Sequence, residues 1–436
     1  MLIKPTLVPI LASAGLLLGA NGYLLTLIPL RAQHEGFSET LVGMMGSAYF
    51  IGYILASIGT PRLIQRSGHI RVFGSFAVIA AIACLALVLI PDQWVWLVGR
   101  LATGMAFAGC SMVLESWLNG LAGRGDRARL LSVYRLVDLG MVTGLQFLVP
   151  WLGPDTFAVF AVGAMLFCVA LLPVSLSTLS SPAPPESTAL RLGMVYRLSP
   201  VACIGVITIG LTNGAFRTVG PVFAEAIGLT VDQIALFMSL GIAGGAVAQY
   251  PLGWLSDRIG RRTVLIGATA GAAIASILLA NTTGALVFAA IGLFGGFSLP
   301  LYSLSVAHAN DFAKPGQFLE IAAGLSLFYA LGATVGPLVV AMLIEHLGAQ
   351  SFFIYNATLH TAFIAFVLYR MQRRAAVPRA MRRRFVGLLR TSTELYRRDA
   401  DDSPLQPANP PIGLDHGPCQ VAAPANLVSI RRTSRS

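Results

Sequence analysis

Long apolar runs, each followed by a short polar connection, make up the chain from about residue 7 to residue 370. An apolar run of about 20 residues can cross the ~30 Å hydrocarbon core of a bilayer as an α-helix. The pattern therefore predicts an all-α polytopic membrane protein with twelve transmembrane helices. Their approximate limits are 7–30, 40–60, 70–90, 94–118, 128–150, 156–178, 200–223, 232–252, 263–281, 284–308, 321–345 and 350–370.

The composition supports lipid as the main solvent of this chain. Only 11% of the 436 residues are charged, 56% are hydrophobic, and the mean hydropathy is +0.74. The surface of a soluble domain typically carries roughly 25–35% charged residues. Soluble globular, disordered and coiled-coil proteins are therefore excluded. Four of the five cysteines lie within apolar runs, so we expect no disulfide.

The basic residues predict the orientation of the helices. The N-terminal segment and the connections after even-numbered helices hold thirteen Lys and Arg residues, whereas the other connections hold only Arg31. Because Lys and Arg mark cytoplasmic connections, both termini are predicted to be cytoplasmic, with the protein in the cell inner membrane. We name the two faces of the molecule the predicted cytoplasmic side and the predicted exterior side. The first apolar run is too long for a cleaved signal peptide, and we expect it to remain as an anchor.

The segment after residue 370 is basic and carries much of the net charge of +11. Residues 378–398 alternate arginines with apolar side chains, which predicts an interfacial helix on anionic lipid headgroups. The Pro-rich remainder is predicted to be disordered. Lipid contacts and topology explain the basic balance, so we expect no nucleic-acid partner.

An internal repeat with an offset of 192 residues links the two halves of the chain. NGYLLTLIPL from Asn21 and NGAFRTVGPV from Asn213 share Asn, Gly, Thr and Pro. The same offset relates Gly36 to Gly228, Arg66 to Arg258, Gly68 to Gly260, Gly104 to Gly296, Gly140 to Gly332 and Gly144 to Gly336. We predict a six-helix bundle at 1–178, a cytoplasmic linker at 179–199, a second six-helix bundle at 200–370 and a tail at 371–436. Parallel repeats of this kind place a solute site between the halves.

A motif between spans eight and nine carries a family resemblance. The segment GWLSDRIGRR from Gly253 is similar, position for position, to the G-x-L-x-D-R-x-G-R-R/K signature of the major facilitator superfamily. The first-half copy, PRLIQRSGHI, keeps Arg66 and Gly68 but has Gln65 and His69 at the acidic and basic positions. The segments ESWLN and ARLLSVY resemble the bacterial YcaD-type branch of uncharacterised facilitators.

The resemblance implies a twelve-helix facilitator fold that works by alternating access, with spans one, four, seven and ten around a central cavity. Arg100 resembles the span-four arginine that is implicated in proton transfer in proton-coupled members. Span five lacks the Gly-Pro signature of antiporters. The signature loop can form a charge network that locks the predicted cytoplasmic side. The candidate gating residues are Gly253, Asp257, Arg258, Gly260, Arg261 and Arg262, with Arg66 and Glu115 in the first half.

Polar residues within the spans are the candidate site residues, because an ionisable group there costs roughly 2.5–3.5 kcal/mol. Asp138 is a candidate for proton coupling with Arg135, and the alternative is a structural ion pair. The helical rise places Arg100 and Arg217 at the same depth in the membrane, about 8 Å from the midplane on the predicted exterior side. With Asn21 and Asn213 they are the candidate substrate-binding residues, and helix-to-helix hydrogen bonds are the alternative for the asparagines.

The sequence therefore predicts a secondary active transporter of a small solute, proton-coupled, with a lean towards anionic or zwitterionic solutes. A non-transporting membrane sensor or scaffold that keeps the same fold is the alternative. No nucleotide, metal, cofactor or catalytic motif was found, so neither an enzyme nor a cofactor is expected.

Overall fold

The computed structural model describes residues 7–121, 127–177, 182, 191–314 and 317–374. These residues form fifteen α-helices. The helices of the first half are α1 Val8–His34, α2 Glu39–Ser67, α3 His69–Leu89, α4 Gln93–Leu121, α5 Arg127–Gln146, α6 Leu148–Leu152 and α7 Phe157–Ser175. Those that follow are α8 Leu192–Leu198, α9 Pro200–Ala226, α10 Val231–Ile259, α11 Arg261–Asn281, α12 Leu286–Ser298, α13 Leu301–Asn310, α14 Phe318–Leu347 and α15 Ser351–Arg373.

Eleven segments of the described chain are long and apolar enough to cross a membrane, and one of them, Leu286–Asn310, joins α12 and α13. The twelfth predicted crossing is α5, which has 20 residues. It falls outside this set because Arg127, Arg129, Arg135 and Asp138 lie in one short helix. The prediction of an all-α polytopic fold is confirmed, with α5 as its most polar member.

The helix bounds repeat with the offset seen in the sequence. Val8 and Pro200 differ by 192 positions, and so do His34 and Ala226. Both ends of α2 and α10, and both ends of α3 and α11, keep the same offset. Glycines with positive φ help to fix these ends, because Gly68 and its counterpart Gly260 have φ of 80° and 119°. Residues other than glycine rarely adopt that conformation, so in each half a glycine fixes the turn between the second and the third helix.

Close backbone contacts hold each bundle together. A Cβ atom added to Gly104 on α4 would lie 1.9 Å from the carbonyl oxygen of Tyr49 on α2. In the second half, a Cβ added to Gly295 on α12 would lie 1.8 Å from the carbonyl oxygen of Gly241 on α10. Small residues allow such close approach of membrane helices, where packing replaces the hydrophobic effect as the driving force.

The two halves meet along α2 with α14, α1 with α9 and α5 with α10. A Cβ added to Gly43 would lie 2.7 Å from the carbonyl oxygen of Pro337, and one added to Gly46 would lie 2.8 Å from Thr218. Both glycines are in the first turns of α2, towards the predicted exterior side. The halves are therefore tightly packed against each other on that side.

Three predicted elements differ in the structure. Span five was predicted as one helix at 128–150, but α5 ends at Gln146 and α6 begins at Leu148. Span ten was predicted as one helix at 284–308, but α12 ends at Ser298 and α13 begins at Leu301. Pro300 accounts for this break, because proline supplies no N–H to a helix interior. The linker predicted at 179–199 contains α8, whose Val195 lies 2.8 Å from a Cβ added to Gly324 on α14. The rest of that linker apart from residue 182, and the tail from residue 375 with its predicted interfacial helix, lie outside the described residues.

Candidate functional site

A buried arginine in the first half packs against a tyrosine of the neighbouring helix. Arg100 on α4 is 2% exposed, and its guanidinium carbon is 4.8 Å from the ring centroid of Tyr49 on α2. The Tyr49 hydroxyl donates a hydrogen bond of 2.8 Å to Oδ1 of Asn21 on α1. No atom of the described residues accepts a hydrogen bond from Nη1 of Arg100. Asn21 and Arg100 are thus joined through a tyrosine that the sequence analysis did not single out.

Residues of the second half approach this tyrosine from across the interface. The half-buried Arg217 on α9 interacts electrostatically with the Tyr49 hydroxyl, as Arg100 does. The ring of Phe50 lies 6.4 Å from that of Tyr329 on α14, which in turn lies 5.7 Å from the ring of Tyr302. We call this group the arginine–aromatic cluster; its members are Tyr49, Phe50, Arg100, Arg217, Tyr302 and Tyr329.

The cluster has no symmetric copy. At the repeat offset, the counterparts of Tyr49 and Arg100 are Gly241 and Gly292. A Cβ added to Gly241 would lie 2.8 Å from the ring of Phe216, so the space taken by Tyr49 in the first half is filled in the second. The buried cation of this pair therefore belongs to one half only.

Asn213 has partners within its own half. Its Nδ2 donates to the carbonyl oxygen of Ser298 at 3.4 Å, and the Ser298 hydroxyl donates to Asn213 Oδ1 at 2.7 Å. Ser298 is the last residue of α12, directly before the break in span ten. The side chain of Asn213 thus joins α9 to α12, and its predicted role in solute binding stays a prediction.

The predicted Arg135 and Asp138 pair is present and takes part in a contact between the halves. Arg135 Nη1 lies 3.3 Å from Asp138 Oδ2, and Arg135 Nη2 donates to Oε1 of Gln249 on α10. Gln249 then donates to the hydroxyl of Ser303 on α13 at 3.1 Å. A hydrogen-bonded chain therefore runs from α5 to α13. The sequence analysis did not single out Gln249. The feature that could have pointed to it is its uncharged amide within an apolar span.

The signature loop builds a charge centre around Arg261. This side chain is 3% exposed and lies 2.7 Å from Asp257, 3.3 Å from Asp311 and 2.7 Å from the Ser256 hydroxyl. Asp311 follows α13 and was not predicted. These contacts join α10, α11 and the end of α13 within the second half.

The other predicted residues of this loop also contact the second half. The Arg258 guanidinium carbon lies 3.9 Å from the ring centroid of Trp254, and Arg262 Nη1 donates to the carbonyl oxygen of Arg374 at 2.6 Å. Gly253 is buried in α10, and Gly260 forms the turn between α10 and α11. In this conformation the contacts given above tie the loop to its own bundle, and its predicted gating role stays a prediction.

Glu115 and Arg66 differ in exposure. Glu115 is 2% exposed near the end of α4, whereas Arg66 is exposed near the end of α2. His69, at the basic position of the degenerate loop, lies 3.0 Å from the Ser116 hydroxyl through Nε2. The side chain of Arg129, a predicted neighbour of Glu115, lies outside the described residues. The predicted latch at Glu115 therefore stays a prediction.

The chain belongs to the major facilitator superfamily, whose family profile matches residues 10–200 and 202–414. It is 28% identical over 346 residues to an uncharacterized MFS-type transporter of Enterobacter sp. (strain 638). The matched residues make up 79% of this chain and 90% of that relative. The uncharacterized MFS-type transporter YcaD of Escherichia fergusonii matches with the same identity and coverage. The resemblance read from the motifs is thus confirmed, and the protein is a multi-pass membrane transporter.

Solved structures share the fold at low identity. The nucleoside transporter NupG has a TM-score of 0.71 at 13% identity, over 85% of this chain and 100% of NupG. A bacterial homolog of the human lysosomal transporter Spinster, in an inward-facing and occupied conformation, has a TM-score of 0.68 at 14% identity, over 87% and 99% of the two chains. These likenesses confirm the facilitator fold. Membership of the superfamily implies a small-molecule substrate that binds within the membrane.

Proposed function

We propose that this protein is a secondary active transporter that moves a small anionic or zwitterionic solute across the inner membrane by alternating access. The solute binds between the halves at the arginine–aromatic cluster. Both termini are cytoplasmic in this proposal, and the basic tail contacts anionic lipid headgroups. The observation that carries the solute class is Arg100, whose buried Nη1 has no acceptor among the described residues.

The physical argument concerns the free energy of a buried cation. A guanidinium group taken from water into the membrane loses hydration, and the Tyr49 ring at 4.8 Å compensates for only part of that loss. An anion between the halves would offset more of it. Guanidinium groups bind carboxylates and phosphates through paired N–H donors, so a solute that carries one of these groups fits best. Asn21 and Asn213 complete the proposed site once their present partners move.

Asp138 is the proposed site of the coupling proton. Its side chain is 18% exposed and lies 3.3 Å from Arg135, whose other nitrogen contacts Gln249 across the interface. Neutralising the Asp138 carboxylate would weaken its hold on Arg135 and so alter a contact between the halves. Proton binding would thereby be linked to the conformational equilibrium.

A non-transporting sensor or scaffold is the second candidate. The degenerate first-half loop favours it, because His69 there is buried against Ser116 and Arg66 is exposed. A scaffold would have no use for the buried cation of Arg100, which favours the transporter.

Ligand binding to Arg217→Gln tests the solute class. A thermal-shift screen with carboxylates, phosphates, neutral solutes and cations on the purified protein identifies a ligand, because a specific ligand stabilises the folded state. For an anionic ligand we expect Arg217→Gln to weaken binding by about 2 kcal/mol, the value of a hydrogen bond to a charged group. Arg62→Gln, an exposed arginine on α2, is the matched control and should leave affinity unchanged. Ligands that prove only cationic, or equal affinity in both variants, would contradict the proposal.

A further inference from the structure

A second group of titratable residues joins the halves on the predicted exterior side, away from the arginine–aromatic cluster. His34 is the last residue of α1, Asp155 lies in the connection before α7, and Glu225 lies at the end of α9. The imidazole Nδ1 is 2.6 Å from Asp155 Oδ1, and Nε2 is 3.1 Å from Glu225 Oε1. His34 and Asp155 belong to the first half and Glu225 to the second, so the imidazole bridges the interface.

The geometry restricts the protonation state that can make both contacts. A carboxylate only accepts hydrogen bonds, so each ring nitrogen of His34 must donate for both contacts to be attractive. A neutral imidazole has one N–H, whereas the imidazolium has two. Both contacts of the observed bridge are therefore attractive when the ring carries the second proton, as it does in the imidazolium.

The surrounding charges make the contact with Glu225 the one that changes. Around His34 the described residues place Arg31 on the same helix, Glu35 directly after that helix, Asp155 before α7 and Glu225 on α9. Arg31 hydrogen-bonds Glu35 and lies 3.7 Å from Asp155, so Asp155 keeps a cationic neighbour in its own half. When the imidazole is neutral and donates through Nδ1 to Asp155, the lone pair of Nε2 faces Glu225 Oε1. Loss of the proton thus turns an attraction between the halves into a repulsion.

We propose that His34 is a proton-binding site that holds the two halves together on the predicted exterior side, with Asp155 and Glu225 as the groups that bind its protonated form. The site rests on the proposed alternating access, because it acts on the opening of that side. Its contribution to closure is full at low pH, where the imidazole is charged in both conformations. It is lost as the pH rises and the proton leaves the ring.

A second contact between the halves on the same side does not involve His34 and provides a control. Glu345 on α14 accepts a hydrogen bond of 2.8 Å from the backbone N–H of Thr40, in the first turn of α2. Removing this carboxylate weakens closure but leaves the His34 bridge in place. A variant at Glu345 should therefore open the predicted exterior side more often while keeping its dependence on pH.

Distance measurements between spin labels at Gln93→Cys and Thr283→Cys test the proposal. Both positions are exposed on the predicted exterior side, one in each half. The labels are placed in a variant that lacks the native cysteines, reconstituted in nanodiscs, and measured between about pH 5 and pH 8, where an imidazole changes charge. We expect the population with the longer distance to grow severalfold as the pH rises. In His34→Gln and Glu225→Gln this growth should disappear, while Glu345→Ala should keep it.

The outcomes separate this site from the proposed function. Suppose that the longer label distance becomes more populated in Glu345→Ala, and that the label distance in His34→Gln still depends on pH. These two results together would overturn the His34 site but not the alternating access. A distance that stays fixed in every variant and at every pH would overturn both the His34 site and the alternating access on which it rests.

Discussion

Tyr49 and Arg100 show how two similar bundles come to differ at single positions. Their counterparts at the repeat offset are Gly241 and Gly292, so the second half has no comparable pair of side chains at these positions. A solute between the halves would therefore meet a buried cation and a phenol on one side. On the other it meets Arg217, Tyr302 and Tyr329. An asymmetric solute would be held in one orientation by this difference.

The contact between Gly104 and the Tyr49 carbonyl leads to a prediction for a single methyl group. In Gly104→Ala the added Cβ would lie 1.9 Å from that oxygen, so α2 and α4 must separate. We expect a loss of stability of about 1–3 kcal/mol, the usual cost of overpacking, measured as a lower midpoint of thermal unfolding in detergent.

Gly140→Ala is the matched control for this change. A Cβ at Gly140 has no atom of the described residues within 4 Å, and alanine favours a helix over glycine by roughly 0.5–1 kcal/mol. Its midpoint should stay equal or rise. A midpoint for Gly104→Ala that matched that of Gly140→Ala would show that the close approach of α2 and α4 is not needed for stability.

The sequence identified most charged members of the candidate site but not their partners on other helices. Arg135 and Asp138 are three positions apart on one helix, so their pairing follows from helical geometry. Gln249 lies 114 positions from Arg135, and its contact depends on how α5 packs against α10. The contacts of Ser298 with Asn213 and of Asp311 with Arg261 were missed for the same reason. Hydropathy and spacing describe one helix at a time, and these contacts arise between helices.

At the scale of elements, the turn between α10 and α11 depends on the charges around Arg261. Two carboxylates contact this guanidinium, but Asp311 is 2% exposed and Asp257 is 34% exposed. The exposed carboxylate is screened by solvent, so its contribution to stability is smaller. The buried pair therefore carries most of the interaction.

Asp311→Asn and Asp257→Asn should differ in their effect on stability. Removing the buried charge leaves Arg261 without its enclosed partner, and breaking such a pair typically costs about 3–5 kcal/mol. We expect Asp311→Asn to lower the unfolding midpoint clearly more than Asp257→Asn does. Chemical denaturation in mixed micelles provides the comparison. Equal effects would indicate that the charge of Asp257 holds the turn as strongly as that of Asp311.

The elements themselves were largely predictable, with exceptions that have physical causes. The span limits follow from hydropathy averaged over about 20 residues, and such an average does not detect a break of two residues at Leu299 and Pro300. Span five was predicted from its own apolar stretch at 128–150, and the same average did not detect the break between α5 and α6 at Phe147. α8 is only 7 residues long and was read as linker, because its packing on α14 through Val195 is a tertiary feature.

At the scale of the molecule, the interface between the halves combines tight packing with polar bridges. The contacts at Gly43, Gly46, Thr40 and His34 lie towards the predicted exterior side, and the Arg135–Gln249 bridge lies deeper along α5 and α10. Rocking of the halves would have to break the first group and rearrange the second. A proton on Asp138 is the proposed trigger for that rearrangement.

Asp138→Asn should separate driven transport from exchange. The amide cannot take up or release the coupling proton, so uphill accumulation of solute in proteoliposomes under a proton gradient should be lost. Exchange of labelled for unlabelled solute needs no net proton movement and should persist.

Asp232→Asn is a suitable control, because Asp232 lies in the first turn of α10, at the predicted exterior end. It should accumulate solute as the unchanged protein does. Accumulation that persists in Asp138→Asn would mean that Asp138 serves only as the partner of Arg135.

The hydrogen bond from the Thr40 amide to Glu345 has a consequence for how opening can be followed. The acceptor of this amide belongs to the other half of the molecule, at 2.8 Å. When the halves part, the N–H loses its acceptor and becomes free to exchange with deuterium from water. The neighbouring amide of Leu41 bonds to Ser38 within the same half, so it provides an internal reference. The ratio of the two exchange rates would report the open population directly, without any attached label.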